Sequence, residues 1–444
     1  MELLRQLPLC PDPEVAEPVA GNYFVAAYPP FSCWSAAMAP AAHCQLDALR
    51  PADAPFILYV HVPFCAHRCD YCYYLSTARH TRPQMAAYLT ALLSELTLYR
   101  ESPAFAVRRP HCVYVGGGTP SLLPAEDIAR LLDGLRGLFP WSGVEEVTFE
   151  CAPRSTTAAK LAVLRRAGVN RLSLGVQQLD DAVLRANGRV HLVADVERAW
   201  GEVRAAGFDE VNVDLIAGLV GETDESFRRS LDRVVEMGPD AVTVYQLEVP
   251  LNTPLYRSLA AGTGAATLPT WAEKRARVAY AFDLLEAAGY ARRSAYAAAR
   301  GRHRRFAYQE DQYRGADLVG VGASAISYVG GLHYQNVASL DGYLAAGAGG
   351  GLPVGRAYRL TRDEQVVREF VLQLKLGRVE AGRFRERFGV EIADRFADPL
   401  REVAGRGWLT FDRRAVALTR DGLLRADRLL TAFYLPEHRG VRYS

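Results

Sequence analysis

The chain has 444 residues, half of them apolar and 23% charged, with a formal net charge of +2. That length and apolar content fit a globular protein of two or three domains and exclude a disordered or fibrous chain. The balanced charge argues against a nucleic-acid partner, and no apolar run reaches the ~18 residues of a membrane span.

Eight cysteines occur, at 10, 33, 44, 65, 69, 72, 112 and 151, and only the central three are clustered. With no secretory signal after Met1, the chain reads as cytoplasmic, where thiols stay reduced. Residues 1–50 form an arm: Phe24, Tyr28, Phe31 and Trp34 are too many aromatics for a segment without its own core. Such an arm is either stapled to the main domain or used as a lid.

Residues 51–350 alternate short β-rich runs with amphipathic helical stretches, the pattern of a parallel sheet with right-handed crossovers. Strands are expected at 56–62, 112–115, 146–151, 171–175, 210–216 and 241–247, and helices at 85–99 and 158–167 among others. Six such units make an incomplete barrel or a doubly wound sheet, and periodicity does not separate them. In both, ligands sit at the C-terminal strand ends.

Cys65, Cys69 and Cys72 follow the first strand in a C-x₃-C-x₂-C pattern. Three thiols within eight residues suit a cubane iron–sulfur cluster with one iron left open for another ligand. A structural zinc site needs four protein ligands, and a disulfide would strand one thiol. Gly116-Gly-Gly-Thr-Pro120 follows the second strand, where bare backbone forms a tight turn or lets a polar ligand approach. Glu150 ends the third strand and Gln177 follows the fourth, with Arg189 beyond it; Asp214 sits in the fifth. Singly each reads as a salt bridge or cap; at successive strand ends they read as walls of one polar pocket.

A helix is expected at 271–288, then an arginine-rich stretch, Arg292 to Arg305, that is a solvated loop or a site for substrate carboxylates. Gly347 to Gly351 marks a boundary. Residues 351–444 read as a mostly helical, winged-helix-like cap with helices at 361–375, 380–388 and 392–404, strands at 408–411 and 415–418, and a last helix capped by Thr419.

The run Tyr59-Val-His-Val-Pro-Phe-Cys65 with Cys69 and Cys72, and the Gly-Gly-Gly-Thr-Pro motif, resemble those of radical S-adenosylmethionine (SAM) enzymes. The branch is the one named for oxygen-independent coproporphyrinogen III oxidase. This resemblance implies an α/β partial (β/α)₆ barrel and a [4Fe–4S] cluster on Cys65, Cys69 and Cys72. It implies SAM contacts at Tyr59, Tyr71, Tyr73, Gly117, Gly118, Thr119, Glu150, Gln177, Arg189, Asp214 and Ile326, with room for two SAM molecules. In the family SAM is cleaved to a 5′-deoxyadenosyl radical, the cofactor doing the hard chemistry and the protein positioning it.

Several positions depart from the decarboxylating oxidase. Tyr73-Tyr74 replace its Gly-Cys, Tyr296-Ala-Ala-Ala299 replace its Asp-His-Phe-Ala, and Glu248 replaces a small SAM-contacting residue. These changes lead to an expectation of methylation or cyclopropanation of an unsaturated small molecule, with the second SAM as carbon donor. The alternatives are oxidative decarboxylation of coproporphyrinogen III and haem chaperoning. The expected partners are a small-molecule substrate and an electron donor such as flavodoxin or ferredoxin.

Overall fold

A computed structural model describes residues 20, 24–262, 268–301, 305–441 and 443. The first strand, β1 (Phe56–Val62), is buried on both faces along most of its length, as expected of a strand covered by helices on one side and facing a filled interior on the other. It is followed by β2 (Pro110–Gly117), β3 (Glu146–Cys151), β4 (Arg171–Gln177), β5 (Glu210–Ala217) and β6 (Ala241–Gln246). These six strands pair in parallel in chain order, without the reversal of a doubly wound sheet, so the partial-barrel expectation holds.

The intervening helices start where the sequence supplies caps. Thr81 closes a capping box on Arg82–Glu101, Thr157 accepts from Lys160 N at the start of Ala158–Ala167, and Thr223 caps Asp224–Met237. Leu89, Leu92 and Leu96 of the first helix pack with Phe56, Leu58 and Val60 in the main core.

The sheet is twice as wide as expected. On the β6 side it adds β7 (Tyr290–Arg292) and β8 (Ala297–Arg300), antiparallel. On the other side β9 (Asp317–Val321) lies parallel to β1, followed by the antiparallel β10 (Ile326–Val329), β11 (Leu332–Asn336) and β12 (Val354–Arg359). The sheet thus runs through β12, past the Gly347 to Gly351 break.

A second core begins with the helix Arg362–Leu374 and includes a small sheet of β13 (Arg378–Glu380), β14 (Leu409–Phe411) and β15 (Ala415–Leu418). The expected helix at 392–404 is two, Ile392–Arg395 and Ala397–Gly405. Between them Phe396 leaves helical geometry (φ −112°, ψ 26°), and its ring stacks on Phe370 at 4.3 Å.

The start of the described arm is stapled to this second core, while Ala42 and Leu46 farther along it pack in the main core. Val25 and Tyr28 are buried in it, Val25 N donates to Asp427 Oδ1 at 3.0 Å, and the Tyr28 hydroxyl meets His438 Nδ1 at 2.8 Å. Lys375 is fully buried and donates from Nζ to Val25 O at 2.7 Å and Asp427 Oδ1 at 2.9 Å, with Nζ 3.4 Å from the Phe24 ring centroid. Among the described residues no helix is long and apolar enough to cross a membrane.

Candidate active site

The loop after β1 is held in place by its own strand. His61 places Nε2 2.9 Å from Leu75 O and Nδ1 2.9 Å from the Tyr59 hydroxyl. Burial lowers its pKa to about 4, so the imidazole is neutral: Nε2–H donates to the loop carbonyl and Nδ1 accepts from Tyr59. Cys65, Cys69 and Cys72 are all free thiols on this loop, and all three face one cavity of about 1320 Å³.

Burial pushes the Cys72 thiol up to about 11, with the neighbouring Cys69 adding to the effect; the Cys65 thiol is likewise raised by burial, opposed by a hydrogen bond from Thr119. Crowded, desolvated thiols that raise one another suit a cationic centre, since binding iron makes them thiolates. The donor set therefore fits a cluster held by Cys65, Cys69 and Cys72. Polar groups already point at the sulfurs, Thr119 Oγ1 at 3.4 Å from Cys65 and Arg189 Nη1 at 3.2 Å from Cys69.

The glycine motif is sterically required. Gly117 has φ +110°, and a Cβ there would lie 2.5 Å from the His61 ring; a Cβ on Gly118 would lie 2.8 Å from Val62 O. The turn delivers Gly117 N to Glu150 Oε2 at 3.1 Å, while the Tyr114 hydroxyl donates to Oε1 at 2.6 Å. Burial raises Glu150 to about 7, with Tyr114 opposing the rise.

At the end of β4 the ladder is irregular between Gly175 and Gln177, and Gln177 takes φ +67°. A non-glycine residue in the left-handed region at a pocket edge marks a place where side-chain position outweighs backbone comfort. Arg189 crosses back over this edge, donating from Nη2 to Gly175 O at 2.9 Å, while its Nε has no partner. Asp214 accepts from Ser173 Oγ and Asn212 Nδ2, both at 2.9 Å, and burial raises its carboxyl.

Every residue expected to hold the cluster or contact SAM lines this same cavity. Besides the three cysteines these are Tyr59, Tyr71, Tyr73, Gly117, Gly118, Thr119, Glu150, Gln177, Arg189, Asp214 and Ile326. The Tyr71 hydroxyl is buried beside Cys69. Tyr73 stacks on Tyr74 at 4.5 Å.

Other wall residues were not anticipated. Phe24 and Phe31 of the arm, Tyr443 near the C-terminus, and Tyr308 and Tyr313 of the helix Ala307–Tyr313 all line the cavity. The aromatic excess of the arm was their only sequence signal, and it covers Phe24 and Phe31 alone. Stapled arm and cavity wall are thus both descriptions of one segment.

The described arginines of the arginine-rich stretch are engaged away from the cavity. Arg292 lies over the Phe282 ring and donates to Ser294 O and Ala295 O, Arg300 lies over Tyr290, and Arg305 pairs with Glu145 and Asp311. None of the described arginines of that stretch lines the cavity; Arg302 and Arg304 lie outside the described residues. Tyr296, where the oxidase has an acid, gives its hydroxyl to Asp427 Oδ2 at 2.6 Å.

Comparison with known proteins agrees with this geometry. Residues 59–234 match the Radical SAM superfamily and residues 360–425 the HemN C-terminal domain. The heme chaperone HemW of Mycobacterium tuberculosis is 34% identical, over 87% of this chain and 97% of its own. The oxygen-independent coproporphyrinogen III oxidase of Escherichia coli is 30% identical, over 86% of each chain. The solved coproporphyrinogen III oxidase (HemN) from Escherichia coli superposes with a TM-score of 0.79 at 29% identity, covering 94% of this chain and 99% of that one.

These relatives do not support the expected methylation or cyclopropanation; they favour its two alternatives. The chain belongs to the radical SAM family that holds the oxygen-independent coproporphyrinogen III oxidases and the HemW heme chaperones.

Proposed function

We propose that this chain oxidises a porphyrinogen without oxygen, and that its reaction is the oxidative decarboxylation of coproporphyrinogen III. The observation carrying this reading is one cavity lined together by the three cluster thiols and by aromatic side chains from the strand ends, the arm, the helix Ala307–Tyr313 and Tyr443. When bound, the cluster and SAM supply a one-electron cleavage that yields a hydrogen-abstracting radical. The chain's own contribution is position. Arg189 orients Cys69, Glu150 and Asp214 present acceptors at the strand ends, and the aromatic lining limits the water that would quench a radical.

The cavity volume of about 1320 Å³ exceeds the ~300–1,000 Å³ of a pocket for one drug-sized ligand, so SAM leaves space for a substrate or a second SAM beside it. A low-potential donor such as flavodoxin or ferredoxin provides the electron.

The test is anaerobic incubation of the iron-reconstituted, reduced protein with SAM and coproporphyrinogen III. Vinyl-bearing product together with 5′-deoxyadenosine is expected, and deoxyadenosine formation without any decarboxylated product defeats the reading. The second reading is a heme chaperone, favoured by the missing acid and imidazole at Tyr296 to Ala299 and by the Mycobacterium tuberculosis relative. Haem retained through purification, with no deoxyadenosine formed, selects it.

A further inference from the structure

Consecutive side chains of a regular strand point to opposite faces, yet at the start of β2 those of His111 and Cys112 converge. The pairing with β1 explains it. Phe56 faces Pro110 and Ile57 faces Cys112, so His111 is an extra, bulged residue whose side chain the irregularity re-aims. Asp311, from the helix Ala307–Tyr313, completes the group. His111 Nδ1 lies 2.5 Å from Asp311 Oδ2, and Cys112 Sγ lies 3.9 Å from each of them.

Those three separations leave a point about 2.1 Å from all three atoms, within the ~2.0–2.3 Å that zinc keeps from N, O and S ligands. The second polar atom of each polar ligand is already engaged. His111 Nε2 lies 3.2 Å from Glu145 Oε2, and Arg305 Nη1 donates to Asp311 Oδ1 at 2.9 Å. A carboxylate behind the imidazole and a donor behind the carboxylate are the outer shell that orients metal ligands. Burial, and then the Glu146, Asp311 and Glu145 carboxylates, push the Cys112 thiol up, a field that favours a cation beside the sulfur. The Cys112 side chain is fully buried, while that of His111 is 35% exposed and gives an ion its way in.

We propose that His111, Cys112 and Asp311 form a zinc site at the foot of the barrel. One thiolate, one imidazole and one carboxylate suit zinc rather than magnesium or calcium, which prefer oxygen alone. Entry of the ion releases two protons, one from the thiol and one from between Nδ1 and Oδ2, and that pair widens from its hydrogen-bond distance. Three protein ligands leave the fourth position to water, as in open rather than closed zinc sites. None of the three lines the cavity, but the ion ties β2 to the helix that carries Tyr308 and Tyr313 of the cavity wall. The site does not depend on which reaction the cavity performs.

The probe is zinc alone. The full chain, iron-reconstituted so that Cys65, Cys69 and Cys72 are occupied, is equilibrated anaerobically with chelator-buffered zinc. Bound zinc and iron are then counted, and X-ray absorption at the zinc edge reads the ligand atoms. About one zinc per chain is expected, with a single sulfur among nitrogen and oxygen neighbours. Cys112→Ala and Asp311→Asn each remove a ligand, so each should weaken zinc binding by at least the ~10–100-fold that outer-shell changes cost. Iron content and melting temperature establish that the variants are folded, and Asp311→Asn decides if the buried Cys112→Ala does not fold. Wild type that retains no zinc, zinc retained equally by folded Asp311→Asn, or a sulfur-rich signature from the cluster loop overturns the inference.

Discussion

The two walls of the cavity are built on opposite principles. On the cluster wall the carboxylates and the imidazole are tied down: Glu150 by Tyr114 and Gly117, Asp214 by Ser173 and Asn212, His61 by Tyr59 and Leu75. The facing side, which takes in the end of β6, the arm and the helix Ala307–Tyr313, is mostly aromatic. Groups that must stay fixed while charge moves are preorganised by the protein, whereas aromatic side chains supply contact area.

Three changes break or sharpen that contrast. The largest effect is expected from Arg189→Met, which removes the guanidinium from Cys69 and from Gly175 O while keeping bulk. A 10–100-fold loss of SAM cleavage is expected, as for other outer-shell partners of metal ligands, read as deoxyadenosine formed per iron. Unchanged cleavage would make the cluster wall less preorganised than its geometry implies.

Next is Glu150. Its pKa rises from the ordinary 4.5 to about 7, so the folded state holds this proton more tightly than the unfolded chain does. Stability of the ligand-free protein therefore falls as pH climbs from about 4.5 to about 7, by on the order of 3 kcal/mol from this group. Glu95 and Glu222, raised to about 7 by burial, contribute in the same direction. Glu150→Gln should make the melting temperature fall less, or rise more, between pH 5 and pH 7.5 than it does in the wild type; an unchanged slope refutes the assignment.

The smallest effect belongs to the facing side. Tyr296→Phe deletes one hydrogen bond, to Asp427, at 2.6 Å. A loss of about 1–2 kcal/mol in denaturant unfolding, with SAM cleavage untouched, is expected, because Asp427 keeps its bonds from Lys375 and Val25. A loss of cleavage would tie this side to the chemistry.

The same contrast explains what could be read in advance. The cluster wall comes from consecutive strand ends, each announced by a β-rich run and a residue type that is odd at a strand end, so Glu150, Gln177 and Asp214 could be placed together from pattern alone. The facing wall is assembled from segments hundreds of residues apart: Phe24, Tyr308 and Tyr443 share no local signal. β9 escaped because its Gly320, and Gly322 just past its end, look like loop residues. Gly320 has to be bare, since a Cβ there would sit 2.4 Å from Ile326 O. Of the partners of Arg305, Glu145 lies 160 residues away and Asp311 only six.

Lys375 has a practical corollary for anyone wishing to dissect or transplant parts of this protein. Its ammonium is anchored to the arm through Val25 and to the last helices through Asp427, with Phe24 against it. A fragment stopped at Arg359 would deprive Val25 and Tyr28 of their surroundings, and one lacking the first 30 residues would take the Val25 and Phe24 contacts from the Lys375 ammonium and leave it Asp427. Grafting the cap alone onto another barrel would have to carry the leading strap with it, and the pair should melt in one transition.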